Sequence, residues 1–169
     1  EKLALEEERT VKILDAGCGE GFITNLIFSN IANVEVVGLE YTDEALEIAR
    51  NLNKEITYIQ GDIYQMPFQK KTFDIVLCTE VLEHLSTPAD ALKELIRVTD
   101  SYLLLTVPNE PWFCLGNLLA LKNIKRFGNP VDHINHWTFK KFKNFTQKYL
   151  SNNILYTTSF PWSLALFKP

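Results

Sequence analysis

Apolar residues along this chain recur in two periods that alternate with each other. Short runs rich in β-branched residues read as strands, and longer stretches with apolar residues every three or four positions read as helices. Val11, Ile13 and Leu14 form the first run, a buried parallel strand that stops at Asp15. From Phe22 the period lengthens, and Leu26, Ile27 and Ile31 are expected on the buried side of a helix. Residues 34–39 read as a second strand, ending at Glu40. A helix carrying Ala45, Leu46, Ile48 and Ala49 follows, with Thr42 placed to cap it. Residues 56–59 are a third strand, 73–78 a fourth, 88–98 a helix and 102–107 a fifth strand stopped by Pro108. Residues 154–160 and 162–167 read as a terminal antiparallel pair joined at Pro161, and residues 3–8 as a short acidic helix before the first strand. Strand alternating with helix predicts an α/β fold, a doubly wound and mostly parallel sheet.

The link after the first strand carries the chemistry. It reads Asp15-Ala-Gly17-Cys18-Gly19-Glu-Gly21, with glycine at every second position. Glycine there lets the chain turn sharply and lets a ligand approach without meeting a Cβ. A dinucleotide fingerprint needs G-x-G-x-x-G with phosphate on the helix N-terminus. Here the order is G-x-G-x-G behind an acid, and a carboxylate so close repels a pyrophosphate. The loop suits a ligand bearing an ammonium or sulfonium group. Glu40, nineteen residues beyond Gly21, can reach ribose hydroxyls from the neighbouring strand tip. Gly61 and Asp62 end the third strand, so three strand ends make a nucleotide-shaped crevice at one sheet edge.

With 169 residues and 46% hydrophobic content, a single domain spanning 1–169 is expected. The chain opens on Glu rather than Met, which leaves the completeness of its N-terminus open. No run approaches membrane-spanning length and no signal-peptide pattern is present. Cys18, Cys78 and Cys114 are an odd, widely spaced set, which favours free thiols in the cytoplasm. The net charge of −4 is unevenly spread. Residues 1–110 hold nine Lys/Arg against twenty Asp/Glu, whereas residues 111–150 hold seven Lys/Arg and only Asp132. An acidic body and a separate basic functional element follow from that split.

Asp15-Ala-Gly-Cys-Gly-Glu-Gly21, Glu40, Gly61-Asp62, Phe73-Asp-Ile-Val and Glu80-Val-Leu-Glu83-His84-Leu together resemble class I S-adenosylmethionine-dependent methyltransferases in order and spacing. The resemblance covers almost the whole chain. It implies a Rossmann-like sheet, S-adenosyl-L-methionine as methyl donor and S-adenosyl-L-homocysteine as product. It also implies that the loop of Gly17, Cys18, Gly19 and Gly21 embraces the methionine portion, with Asp15 on its ammonium, directly or through water. Glu40 would take the ribose hydroxyls, Tyr41 an adenine face, and Asp62 with the Ile63 amide the adenine edge, while Thr79 at the fourth strand's end completes the set. One departure is the link 99–102, about two residues shorter than the family's Lys-Pro-Gly-Gly-like turn before the fifth strand.

A helical cap after the fifth strand, residues 108–150, is where acceptor specificity is expected. It is basic and aromatic, with Trp112, Phe113, Phe127, Trp137, Phe139, Phe142, Phe145 and Tyr149. Residues 114–121 look like a short apolar helix, either a lid packed on the sheet or an interfacial helix that touches a membrane or a lipid-linked substrate. Asp132-His133-Ile-Asn-His136-Trp-Thr138 follows, with Thr138 placed to cap a helix holding Phe142, Phe145 and Tyr149. Its His-x-x-His-Trp-Thr element resembles bacterial and archaeal small-molecule and glycan-associated methyltransferases. All three histidines, His84, His133 and His136, fall in segments that the family fold sets over the sulfonium, and histidine is the usual proton acceptor near neutral pH. His133 is the favoured base.

No metal is expected, yet an alternative stands. Glu80, Glu83 and His84 at i, i+3 and i+4 would share one helical face. With His133 they resemble the metal site of small-RNA 2′-O-methyltransferases, a donor set suited to Mg²⁺ or Mn²⁺. The reading as a whole is a cytoplasmic methyltransferase acting on an oxygen or nitrogen of a small-molecule, glycan or lipid-linked acceptor, with an anionic acceptor or membrane surface matching the basic cap and no DNA partner. Its rivals are a metal-dependent RNA 2′-O-methyltransferase-like enzyme, a nucleotide-dependent oxidoreductase and a non-catalytic cofactor-binding partner subunit.

Overall fold

The computed structural model describes residues 9–150 and 153–169, so the acidic helix expected over residues 3–8 lies outside the described residues. The described chain alternates strand and helix: β1 (Val11–Ala16), α1 (Phe22–Asn30), β2 (Val34–Glu40), α2 (Asp43–Leu52), β3 (Thr57–Gln60) and β4 (Phe73–Thr79). A 3₁₀ turn, Leu82–His84, leads to α3 (Pro88–Val98) and β5 (Thr99–Pro108). Then come α4 (Trp112–Leu119), a 3₁₀ turn Ile124–Arg126, α5 (Phe139–Thr146), β6 (Asn153–Ser159) and β7 (Trp162–Phe167). The strands form one seven-stranded sheet in the order β3-β2-β1-β4-β5-β7-β6. It is parallel except at β7, which runs antiparallel to both β5 and β6. The order reverses between β1 and β4, and in open α/β sheets ligands bind beyond the strand ends at such a switch point.

Buried runs explain why these strands sit centrally. Leu14 and Val76 of β1 and β4 and Leu103 and Leu105 of β5 face α3, whose Leu92 and Leu95 are fully buried, and Phe142 of α5 joins the same core. Each such side chain stabilises the fold by roughly 1.5–3 kcal/mol when fully buried. On the other face Ile13, Val36 and Leu77 meet Ile27 and Phe28 of α1. Leu46 and Ala49 of α2 pack with Ile56 and Tyr58. At the amino edge Asp74 accepts both terminal nitrogens of Arg9, at 3.0 and 2.8 Å, and the Lys12 amide at 2.8 Å. The Asp of the Phe73-Asp-Ile-Val run therefore ties β4 to β1 far from the strand ends that matter for binding.

Four details depart from the sequence reading. Leu26 is 62% exposed, because α1 turns Thr24, rather than Leu26, into the core, where the buried Asp15 needs its hydroxyl. The link expected over residues 99–102 is absorbed into β5, which starts at Thr99 directly after α3 and takes up a register shift opposite Phe73 and Ile75. Thr42 occupies the N-cap position of α2 without a side-chain cap bond, since its hydroxyl donates to Glu40 instead. Helix α5 ends at Thr146, so Tyr149 lies past it; at its other end Thr138 Oγ1 does accept the Lys141 amide, at 3.2 Å. Among the described residues no helix is long and apolar enough to cross a membrane.

Candidate functional site

The carboxyl ends of β1, β2 and β3 converge because the three strands are parallel neighbours in register. The amides of Gly17 and Cys18 both donate to Leu39 O, at 2.7 and 3.0 Å, which folds the glycine loop back over the tip of β2. Glu40 then closes the corner. Its Oε2 accepts the Gly19 amide at 3.1 Å, and its Oε1 accepts the amide and hydroxyl of Thr42, each at 3.0 Å. Oε1 thus has both lone pairs taken, whereas Oε2, with one bond, keeps a lone pair for a ligand hydroxyl. Asp62 is held by an Asx turn, its Oδ1 accepting the Tyr64 amide at 2.9 Å.

These groups wall a cavity of about 780 Å³. Gly17, Gly19, Glu40, Tyr41, Asp62 and Ile63 line one part of it, and Glu80, Val81, His84, Asp132 and Ile134 another. Two glycines show why the loop needs them. At Gly17, with φ +83°, an added Cβ would lie 2.5 Å from Val81 Cγ2. At Gly19, with φ +52°, an added Cβ would meet nothing within 4 Å, so it would project into the cavity itself. Gly21 serves packing: a Cβ there would strike the Tyr58 hydroxyl at 2.6 Å and Ala49 Cβ at 2.9 Å. Cys18 likewise packs with the α2–β3 cluster. Asp15, Cys18, Gly21 and Thr79 are not part of the cavity wall. Thr79 pairs with Thr106 across β4 and β5.

Asp15 is 1% exposed, its Oδ2 accepting the Thr24 hydroxyl at 2.7 Å while Oδ1 has no partner. Burial pushes its pKa up to about 6, the Thr24 bond opposing and the Glu40 charge adding to the shift. An unpaired buried carboxylate oxygen beneath a glycine loop fits a ligand ammonium, reached through a water rather than by direct contact, since Asp15 is not in the cavity wall. The open Gly19 cradle and the free Glu40 lone pair fit an amino-acid portion and a ribose on the same side, so the residues present suit S-adenosylmethionine.

The histidines separate. His84 lines the cavity, its Nδ1 lying 3.1 Å from Asp132 O and 3.3 Å from Asp132 Oδ2. A carbonyl can only accept, so Nδ1 carries the proton of that bond, and Nε2 lies 4.0 Å from Glu83 Oε1. His133 stands edge-on to His84 at 5.0 Å and stacks on Phe113 at 5.5 Å. Burial, then the neighbouring His84, hold His133 below the ordinary histidine range, so it is neutral at pH 7. His136 points elsewhere, with Nδ1 4.0 Å from Glu110 Oε1 and Nε2 3.3 Å from Asn129 Nδ2. Glu83 is 1% exposed and neither carboxylate oxygen has a partner; burial and the Glu80 charge push its pKa up to about 8. Ligand atoms of Glu83, His84 and His133 all lie within 4.8 Å of one another.

Glu80 does not join them. Residues 82–84 form a 3₁₀ turn rather than an α-helix, and Glu80 sits at φ +57°. Its oxygens instead accept the Thr106 hydroxyl at 3.0 Å and the Trp162 indole N–H at 2.7 Å. Asn135, a residue the motif reading passed over, fastens the cap to this turn. Its Nδ2 donates to Leu82 O and Leu85 O at 3.1 and 2.6 Å, and the Ile134 and Asn135 amides both donate to Glu83 O. No local pattern marks an asparagine whose partners lie about fifty residues away; Thr24 is the second such omission.

Comparison with known proteins agrees with this geometry. A family model described as a methyltransferase domain matches residues 14–102, more than half of the chain. An uncharacterized methyltransferase of Schizosaccharomyces pombe is 42% identical over 103 residues, covering 54% of this chain and 37% of that protein. The mitochondrial ubiquinone biosynthesis O-methyltransferase of the same organism is 37% identical over 143 residues, covering 78% of this chain and 49% of its own length. The chain thus spans less than half the length of these curated relatives. Among solved structures, the plantazolicin methyltransferase BpumL in complex with SAH superposes with a TM-score of 0.80 at 17% identity, over 99% of this chain and 79% of that one. Strand order, glycine loop, acidic strand tips and family match agree: this chain belongs to the methyltransferase-domain family, within the class I S-adenosylmethionine-dependent methyltransferases.

Proposed function

We propose that this chain transfers a methyl group from S-adenosylmethionine to an oxygen or nitrogen of a small organic acceptor, residues 1–169 acting as one catalytic unit in the cytoplasm. The observation that carries the reading is the Glu40 carboxylate bonded to the Gly19 amide, which joins the loop and the β2 tip into one rigid cradle. When bound, S-adenosylmethionine supplies a methyl group on an electrophilic sulfonium. Alignment and exclusion of water then account for most of the acceleration asked of the protein. Gly17, Gly19 and Asp15 orient the amino-acid end, Glu40 the ribose, and Asp62 with the Ile63 amide the base. A cavity of about 780 Å³ leaves room beyond them, which favours an enzyme over a binding subunit with an occluded pocket. Neutral His133, edge-on to the cavity-lining His84 although not itself part of the cavity wall, accepts the proton of a hydroxyl acceptor.

The relatives named for ubiquinone biosynthesis O-methylation and demethylmenaquinone methylation favour a phenolic or quinol ring over a glycan as the acceptor. Calorimetry with S-adenosylmethionine, S-adenosylhomocysteine and NAD, followed by methyl transfer to a catechol, tests the reading. Binding of the first two and methylated catechol are expected. Tight NAD binding without S-adenosylmethionine binding would overturn it.

A second reading rests on the convergence of Glu83, His84 and His133 around unpaired carboxylate oxygens. One carboxylate with two imidazoles suits a transition ion such as Mn²⁺ better than Mg²⁺, which prefers oxygen ligands, and the Asp132 bond that orients His84 is the outer support such a site uses. In that case the ion would bind the acceptor hydroxyl in place of the histidine base. Glu80, given to Thr106 and Trp162, is no part of it.

A further inference from the structure

We propose that the cap face formed by residues 112–131 docks on an anionic lipid bilayer and holds the mouth of the crevice against it. This face goes beyond the methyl-transfer reading and stands or falls separately from it. Helix α4 has no buried residue at all. Its last residue, Leu119, and beyond it Leu121, Phe127 and Val131 are 75–82% exposed, with Ile124 at 57%. Single exposed leucines are ordinary, but so many large apolar side chains in one short segment mark an interaction surface.

The segment is folded, which makes the exposure a property of its shape. Lys122 donates its amide to Asn117 O at 2.7 Å, Gly128 donates to Asn123 O at 3.0 Å, and Asn117 Nδ2 donates to Gly128 O at 2.9 Å. A Cβ on Gly128 would collide with Cys114 O, so residues 122–128 lie tightly on α4. Many backbone amides are bonded inside the segment while Leu119, Leu121, Ile124, Phe127 and Val131 are exposed. Apolar groups can then enter the headgroup boundary, where water still reaches the remaining amides, with few unpaired backbone groups.

Charge selects the occupant. Lys122, Lys125 and Arg126 lie among these residues, and no Asp or Glu occurs from Pro111 to Val131. Residues 1–110 carry more than twice as many acidic as basic groups. An anionic leaflet therefore attracts the cap and repels the body, which sets the orientation as well as the affinity. Ile134, 63% exposed, ends the apolar run and also lines the crevice, so a seated cap brings the crevice mouth to the lipid. Nucleic acid is served less well: three cations are few for tracking phosphates, and the exposed Leu115, Leu119, Leu121, Ile124 and Val131 outnumber the two rings, Trp112 and Phe127, on which bases could stack.

Co-sedimentation of the chain with phosphatidylcholine vesicles, with and without phosphatidylglycerol, tests this without cofactor or acceptor. Binding to the anionic vesicles alone is expected at low salt. K125Q/R126Q should weaken it by roughly tenfold or more, an effect that shrinks as salt rises. L119S/L121S should weaken it at every salt concentration, and both variants should keep the parent's melting temperature and cofactor affinity. Failure of the parent to sediment with anionic vesicles, or parent-like binding by both variants, would overturn the proposal. So would a single-stranded RNA that binds through the same residues and displaces the vesicles. None of these results bears on methyl transfer itself, which calorimetry and the catechol assay read independently.

Discussion

The Glu40 carboxylate accepts the Gly19 amide at 3.1 Å, across twenty-one residues of sequence, and this bond unites two strand tips into one binding edge. Glu40→Ala removes a charged acceptor for ribose hydroxyls and frees the loop at the same time. Affinity for S-adenosylmethionine should fall by roughly 1–3 kcal/mol, read by calorimetry. Unchanged affinity would take Glu40 out of the site.

The two loop glycines should fail in different ways. Gly19→Val directs its side chain into the open cavity, so cofactor binding is lost while the fold survives with a modest backbone penalty of roughly 1–2 kcal/mol. Gly17→Ala instead drives a Cβ into Val81 and should lower the melting temperature more than Gly19→Val does. Calorimetry and thermal melts on both variants separate the outcomes, and equal melting temperatures would contradict this assignment.

Asp15 makes stability depend on pH with a definite sign. Its pKa rises from 3.8 unfolded to about 6 folded, so the folded chain binds more protons between those values. The stabilising contribution is full below pH 3.8 and is lost as pH rises through about 6. Near neutral pH the loss amounts to at most about 3 kcal/mol, at 1.36 kcal/mol per unit. Asp15→Asn should flatten that part of the stability profile. Cofactor affinity should move oppositely in the parent, weakening as pH falls below about 6, because an ammonium prefers the ionised carboxylate. A parent affinity constant from pH 5 to 7.5 would exclude the contact.

His133 separates the two mechanisms. As a general base, His133→Ala should lower kcat by roughly 10²–10⁴-fold with little change in cofactor affinity. The parent's acid limb should then lie below the ordinary histidine value of 6.5, because burial depresses His133. As a metal ligand, it should make parent activity sensitive to chelator and recoverable with Mn²⁺ or Mg²⁺, with Glu83→Gln reproducing the loss. Full activity of His133→Ala together with indifference to chelator would remove His133 from both mechanisms.

Residue order alone specifies the sheet and its binding edge. Hydrophobic period is a local property, so β1, β2, β4 and α3 were legible from Val, Ile and Leu spacing alone. A loop with glycine at every second position, behind an acid and before a helix, constrains its own backbone, and positive φ at Gly17, Gly19 and Gly21 follows from that composition. Tertiary structure decided everything that depends on distant partners. Whether α1 buries Leu26 or Thr24 turns on the needs of Asp15, across the glycine loop at the end of β1. Whether Glu80 or Glu83 faces the histidines turns on Thr106 and Trp162, which hold Glu80 from the adjoining strands β5 and β7. Asn135 becomes a clasp only when the 82–85 turn comes beneath it. Apolar residues of α4 read the same in sequence whether packed or exposed, and only the folded cap settles that they face outward, since burial belongs to the neighbours a residue finds rather than to the residue.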